Sequence, residues 1–261
     1  MLAMFEHTIG GRAMAYEDAV ETLRRIIDQA AQVGADQVLM TGDLTGYATP
    51  REFGMVSEAM GALRGDRELC AVVPGNHDYF TPGVVRNQAF EQMFATLLVS
   101  DMPEYCVQGP YPFVQFRGPD VAVIGLCSAV PPTVPGVALG RVGAVQLAML
   151  RAMLSDARMD GRAVLVLVHH APRTAEGKRD SRTHGLVDAD ALLELLPGPR
   201  FAVLHGHLHQ RFYTPATASR PHLFCAGSST QRGHEGYCLV ETKNGRVSGG
   251  AIHALSGGAI R

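Results

Sequence analysis

Four apolar runs of strand length each end in Asp, Asn or His, and this repetition constrains the chain more than any other feature. QVLMT (37–41) leads into Gly42-Asp43, and CAVVP (70–74) into Gly75-Asn76-His77-Asp78. AVLVLV (163–168) leads into His169-His170, and FAVL (201–204) into His205-Gly206-His207-Leu208-His209. Helical patterns separate the strands. In 17–33, Val20, Leu23, Ile27 and Ala31 share one helical face and Gly34 stops the helix. In 50–63, Thr49 is placed to cap a helix that starts at Pro50. A third helix spans 143–157, after the strand VAVIGLC (121–127). Strand, loop, helix, strand in this order implies parallel βαβ units with loops at the strand C-termini. PHLFCAGS and YCLVETKNGRV read as closing antiparallel strands, with Asn244-Gly245 as a hairpin turn. The expected architecture is α/β: a four-layer α/β/β/α sandwich of two mixed sheets with flanking helices. No linker or low-complexity tract divides it, so 1–261 is expected to form a single domain.

Composition narrows the function classes. With 46% hydrophobic and 18% charged residues, the chain can bury a sizeable core. A net charge of −2 and a pI near 6.6 give no basic field, so nucleic acid is not the expected partner. There is no apolar run long enough to span a membrane. MLAMFEHTIGG lacks the basic flank and apolar length of a signal peptide. The five cysteines are odd in number and widely spread, and they read as reduced thiols of a cytoplasmic protein.

Open α/β sheets gather ligands beyond the carboxyl ends of their strands, so the four polar loops are expected to converge on one crevice. A carboxylate, an amide and several imidazoles suit Mn, Fe, Co, Ni or Zn, and are a poor match to an all-oxygen Ca or Mg cage. Two such metals sharing an Asp can clamp a phosphoryl group and activate a water for in-line attack.

The ordered set GD…GNHD…H…GHLH resembles the calcineurin-like metallophosphoesterase superfamily from about Gly34 to Val247. The detail TGDLTGYATPREF…VVPGNHDYF…LVHHAP…LHGHLH is most similar to its cyclic-nucleotide and glycerophosphodiester phosphodiesterase branch. The resemblance implies a metal-dependent hydrolase cleaving a small phosphodiester or phosphomonoester through a metal-activated hydroxide. Asp43 would bridge two divalent transition metals. Asn76, His169 and His207 would complete the second site, and His209 would bind the first. His77 would contact the phosphate and protonate the leaving alkoxide, with Asp78 orienting its ring.

Each residue also has a plainer reading. Gly-Asp after a strand is a common turn, and Asn76 suits a left-handed turn position. His170 is the alternative ligand to His169, which is preferred because it directly ends the strand. His205 reads as structural, and His7, His184, His222, His234 and His253 carry no pattern. Arg173, Lys178, Arg179 and Arg182 form a solvated basic loop or supply anionic contacts to substrate.

One departure stands out. The family opens with a strand ending in Asp-x-His, and no Asp-x-His precedes Asp43 here. Three explanations stay open: a start codon placed too late, Glu6 and His7 after a strand MLAMF as substitute ligands, or loss of the first site. The last leaves a mononuclear enzyme or a silent metal- or nucleotide-binding domain.

Overall fold

The computed structural model describes residues 18–131, 137–181 and 183–255. Glu6, His7 and Arg182 lie outside the described residues. In chain order the main elements are α1 (Ala19–Gln32), β1 (Val38–Met40), α2 (Pro50–Met60), β2 (Cys70–Val72), α3 (Pro82–Arg86), α4 (Ala89–Met93), β3 (Phe113–Arg117) and β4 (Val121–Gly125). Then follow α5 (Ala144–Leu154), β5 (Ala163–Leu167), α6 (Ala189–Glu194), β6 (Phe201–His205), β7 (Phe212–Thr214), β8 (His222–Cys225), β9 (Gly236–Lys243) and β10 (Arg246–Ala254).

A six-stranded mixed sheet in the order β3-β4-β5-β6-β8-β7 forms the centre. Successive residues of β5 alternate faces. Ala163, Leu165 and Leu167 join one apolar core, while Val164 and Val166 join the other. Both faces are therefore buried, which is why this strand reads as an unbroken apolar run. Leu150 and Met153 of α5, with Leu192 of α6, cover the second core. The first core lies against the second β layer, and beyond that Phe53, Val56 and Met60 of α2 close it from outside. The α/β/β/α order expected from the sequence holds.

The second β layer differs in detail from the expected mixed sheet. Among the described residues it consists of two separate ladders, β1 parallel to β2 and β9 antiparallel to β10. The β9–β10 hairpin turns at Asn244-Gly245, both with positive φ (51° and 69°), as that dipeptide favours. PHLFCAGS does not join this hairpin. Its strand β8 runs parallel to β6 inside the central sheet, and the short β7 takes the antiparallel edge beside it. The return through β7 supplies the crossover that lets β8 enter parallel, a long-range choice with no local signature.

The start of α2 follows its sequence signal closely. Thr49 accepts a hydrogen bond from Glu52 N–H (3.2 Å), and the Glu52 carboxylate accepts from Thr49 N–H (2.9 Å), a full capping box ahead of Pro50.

Candidate metal centre

Asp43 and Asn76 sit in the loops after β1 and β2, and these loops interlock. At Gly42, whose φ is +95°, an added Cβ would come within 2.5 Å of Gly75 N. At Gly75 it would come within 2.1 Å of Asp43 Oδ1. Only glycine allows this approach. His77 N–H donates to Asp43 Oδ1 at 2.9 Å, leaving Oδ2 turned toward His169.

Asp78 is buried and ties the two loops together. Its carboxylate accepts from Leu44 N–H (3.1 Å), Thr45 N–H (2.8 Å), Thr45 Oγ1–H (2.9 Å) and Gly75 N–H (2.9 Å). Burial, with the nearby Asp43 charge, pushes its pKa up to about 6 against these bonds. The His77 ring is oriented by something else: its Nδ1–H donates to the Gly46 carbonyl at 2.9 Å. The expectation that Asp78 orients this ring is thus corrected. The carboxylate is engaged by backbone amides of both loops, and a backbone carbonyl holds the imidazole. Nδ1–H is thus committed to the Gly46 carbonyl, and Phe80 stacks on the ring at 5.8 Å.

His169 ends β5, and its Nδ1–H donates to Thr41 O at 2.8 Å. The lone pair of the neutral ring is then on Nε2. That atom lies 3.1 Å from Asn76 Oδ1, 3.2 Å from His207 Nδ1 and 3.3 Å from Asp43 Oδ2, while His207 Nδ1 is 3.1 Å from Asn76 Oδ1. Four such atoms packed this closely are arranged to share protons or a cation. Ligands about 2.0–2.1 Å from a tetrahedral metal are separated by about 3.3 Å, so the spacing fits a first-row transition metal. The protonation energetics tell the same story. Burial works against charge on His169, yet Asp43 raises its pKa. Burial likewise disfavours the Asp43 carboxylate, but His169 and His77 hold its pKa far below the carboxylate range. His207, buried and beside His169, is pushed down to about 3.

Asp43, His207 and His209 all adopt left-handed backbone (φ 54°, 71° and 54°), which is uncommon outside glycine and concentrates at functional sites. Of the five expected ligands, the structure brings Asp43, Asn76, His169 and His207 together. The close group of histidine, cysteine and carboxylate donors among the described residues is His169, His170 and His207, and His209 stands outside it. His209 lines an open cavity of about 580 Å³ with Arg211, His234, Glu235 and Ile252.

His170, a member of this close group, is fully buried, its ring 4.5 Å from that of His207 and its Nδ1 2.8 Å from Ser128 Oγ. His205 is also buried, against Phe212, and burial lowers its pKa to about 4, in keeping with a structural role. Arg173 and Arg179 both pair with Asp190, so two cations of the basic loop share a carboxylate. Sequence reasoning missed His184, whose ring lies 6.3 Å from that of His207, and missed the Gly46 carbonyl on His77. A lone His in a loop carries no signal of such placement.

Comparison with known proteins agrees with this geometry. The family model for calcineurin-like phosphoesterases matches residues 13–211, and the chain belongs to that family. A probable cyclic nucleotide phosphodiesterase of Synechococcus sp. (strain WH7803) is 38% identical over 80 residues. That match covers 30% of this chain and 29% of the relative, well under half of its length. The protein TT1561 of Thermus thermophilus aligns with 90% of this chain and 93% of its own, with a TM-score of 0.54 at 16% identity. The sulfate thiohydrolase SoxB of Thermus thermophilus, in complex with glycerol, aligns with 89% of this chain and 42% of its own, with a TM-score of 0.50 at 17% identity. At these identities the two structures speak for the fold alone. No described helix is long and apolar enough to cross a membrane.

Proposed function

We propose that this chain, folded as one domain, hydrolyses a small phosphoester, with a phosphodiester as the preferred class, and that Asp43, Asn76, His169 and His207 hold a divalent transition metal for that reaction. The observation that carries the reading is the 3.1–3.3 Å spacing of four atoms that can each offer a lone pair. When bound, the metal would supply Lewis-acid polarisation of the phosphoryl group and a lowered pKa for a water. Among the described residues, His209 and Asp43 would give a second metal two protein ligands, where catalytic sites usually keep three. Mn, Fe, Co, Ni and Zn all suit the donors.

The chain's own groups carry the rest. His77 presents Nε2 to the crevice because Gly46 takes its Nδ1–H. In the reaction a water gives one proton to solvent and its oxygen bonds to phosphorus, the bond from phosphorus to the ester oxygen breaks, and doubly protonated His77 delivers its Nε2 proton to the departing alkoxide, leaving the neutral Nδ1–H ring. Asp78 keeps the Asp43 and Asn76 loops in register through its four bonds. The 80-residue likeness to a probable cyclic nucleotide phosphodiesterase supports trying diesters first.

A second reading, a silent metal- or nucleotide-binding domain, is favoured by one observation: no Asp-x-His precedes Asp43 in this sequence. One assay separates the two. Bis(p-nitrophenyl) phosphate hydrolysis should stop with chelator and return with Mn²⁺ or Co²⁺. Undiminished turnover by metal-stripped protein would overturn the metal assignment, and metal binding without any turnover would support the silent domain.

A further inference from the structure

We propose that Glu52 is a positioning residue for His77, acting through the peptide unit between Gly46 and Tyr47; the proposal rests on the phosphoesterase reading above. A capping box asks Glu52 only to reach back to Thr49 N–H, as it does at 2.9 Å. Here the carboxylate extends further, accepting Gly46 N–H at 3.1 Å and Tyr47 N–H at 3.2 Å. The Tyr47 N–H and the Gly46 C=O are two ends of one planar peptide. Its N–H end is held by Glu52 and its C=O end accepts the His77 Nδ1–H at 2.9 Å. Fixing the N–H therefore aims the carbonyl, and the anionic partner polarises the unit so that the carbonyl accepts more strongly.

Glycine at 46 makes this anchor necessary, because a peptide that follows glycine has few intrinsic restraints on its plane. The carbonyl holds the Nδ1 proton, so Nε2 is the nitrogen that takes up the second proton and gives it to the leaving group. Asp78 secures residues 44 and 45 and Glu52 secures 46, 47 and 49, so two carboxylates divide the loop between them. On the other side, Phe80 stacks on the His77 ring and Tyr47 meets Phe80 edge-on at 5.4 Å. A tilt of the 46–47 peptide would move Tyr47 as well as the carbonyl.

The test uses the full chain with saturating Mn²⁺ and bis(p-nitrophenyl) phosphate, comparing wild type, Glu52→Gln, Thr49→Ala, His77→Ala and the Glu52→Gln/His77→Ala double variant. Glutamine keeps the size of Glu52 but faces some of these N–H donors with an NH₂ group. Glu52→Gln should lower kcat about tenfold with KM and metal content unchanged, and should cost nothing further where His77 is already gone. Thr49→Ala, which removes the cap and the Thr49 Oγ1–H bond to Glu52 (2.8 Å) but leaves the carboxylate on Gly46 and Tyr47, should lower stability and cost less kcat than Glu52→Gln. Nitrogen-15 NMR of the neutral ring should show the Nδ1–H tautomer of His77 in wild type and a mixture in Glu52→Gln. A wild-type rate in Glu52→Gln, an equal loss with and without His77, or an unchanged tautomer would each overturn the proposal. If wild type shows no metal-dependent hydrolysis, the functional reading fails, and the tautomer comparison still decides whether Glu52 positions His77.

Discussion

The two halves of the metal centre are built by different means. His169 and His207 follow β5 and β6, adjacent central strands with both faces buried and a four-pair parallel register. Asp43 and Asn76 follow β1 and β2, a ladder of three residue pairs in which Val38 and Leu39 are only half buried. Precision in the first half comes from apolar packing. In the second it comes from carboxylates: Asp78 joins the loops and Glu52 holds the segment after Asp43. Charge-assisted bonds are strong but few, so single polar substitutions should damage the ladder half far more than the sheet half.

The largest expected effect is at Asp43. Asp43→Asn should lose both metal and activity, because neutral asparagine cannot balance a divalent cation beside two imidazoles. Metal analysis and turnover check it, and retained metal with retained rate would remove Asp43 from the ligand set. Next comes His77→Ala, which should keep the metal and lose about 10²–10⁴ in kcat, the worth of a positioned acid–base group. An empty site in that variant would make His77 a ligand.

A paired substitution tests the comparison itself. Asp78→Asn should leave some of its four donors poorly matched and cost about 2–4 kcal/mol, with weakened metal binding. Ser128→Ala, which removes the hydroxyl partner of His170 on the sheet side, should cost about 1 kcal/mol and leave metal affinity near wild type. Urea unfolding and metal titration read both, and equal losses would dissolve the distinction between the halves.

A further effect, confined to acid pH, is a pH dependence of metal-free stability from His205. Its pKa is lowered to about 4 by burial, against about 6.5 in the unfolded chain, so the unfolded state binds the extra proton between those values. Its stabilising contribution is present above about pH 6.5 and is lost as the pH falls toward 4. His205→Leu should flatten that part of the urea-midpoint profile. A profile as steep as wild type would assign the dependence to other groups.

Much of this was legible in the sequence because each candidate ligand follows a strand within two to four residues. The Thr49 cap ahead of Pro50 and the Asn244-Gly245 turn were legible for the same reason, as local chemistry sets them. What escaped the sequence depends on where distant backbone comes to rest. The Gly46 carbonyl reaches a ring 31 residues away, and Thr41 O reaches His169 across 128. The entry of β8 into the central sheet, and the placement of His184 over His207, are set by packing that no window of residues encodes.

The central claim is that Asp43, Asn76, His169 and His207 form one preformed metal site. Zinc or cobalt titration of the 261-residue chain, followed by X-ray absorption on the loaded protein, tests it most directly. The account predicts one tightly held metal per chain, ligated by two imidazoles and by oxygen donors, and lost in Asp43→Asn and His207→Ala. A sulfur-containing shell, or tight binding that survives replacement of both Asp43 and His207, would contradict it.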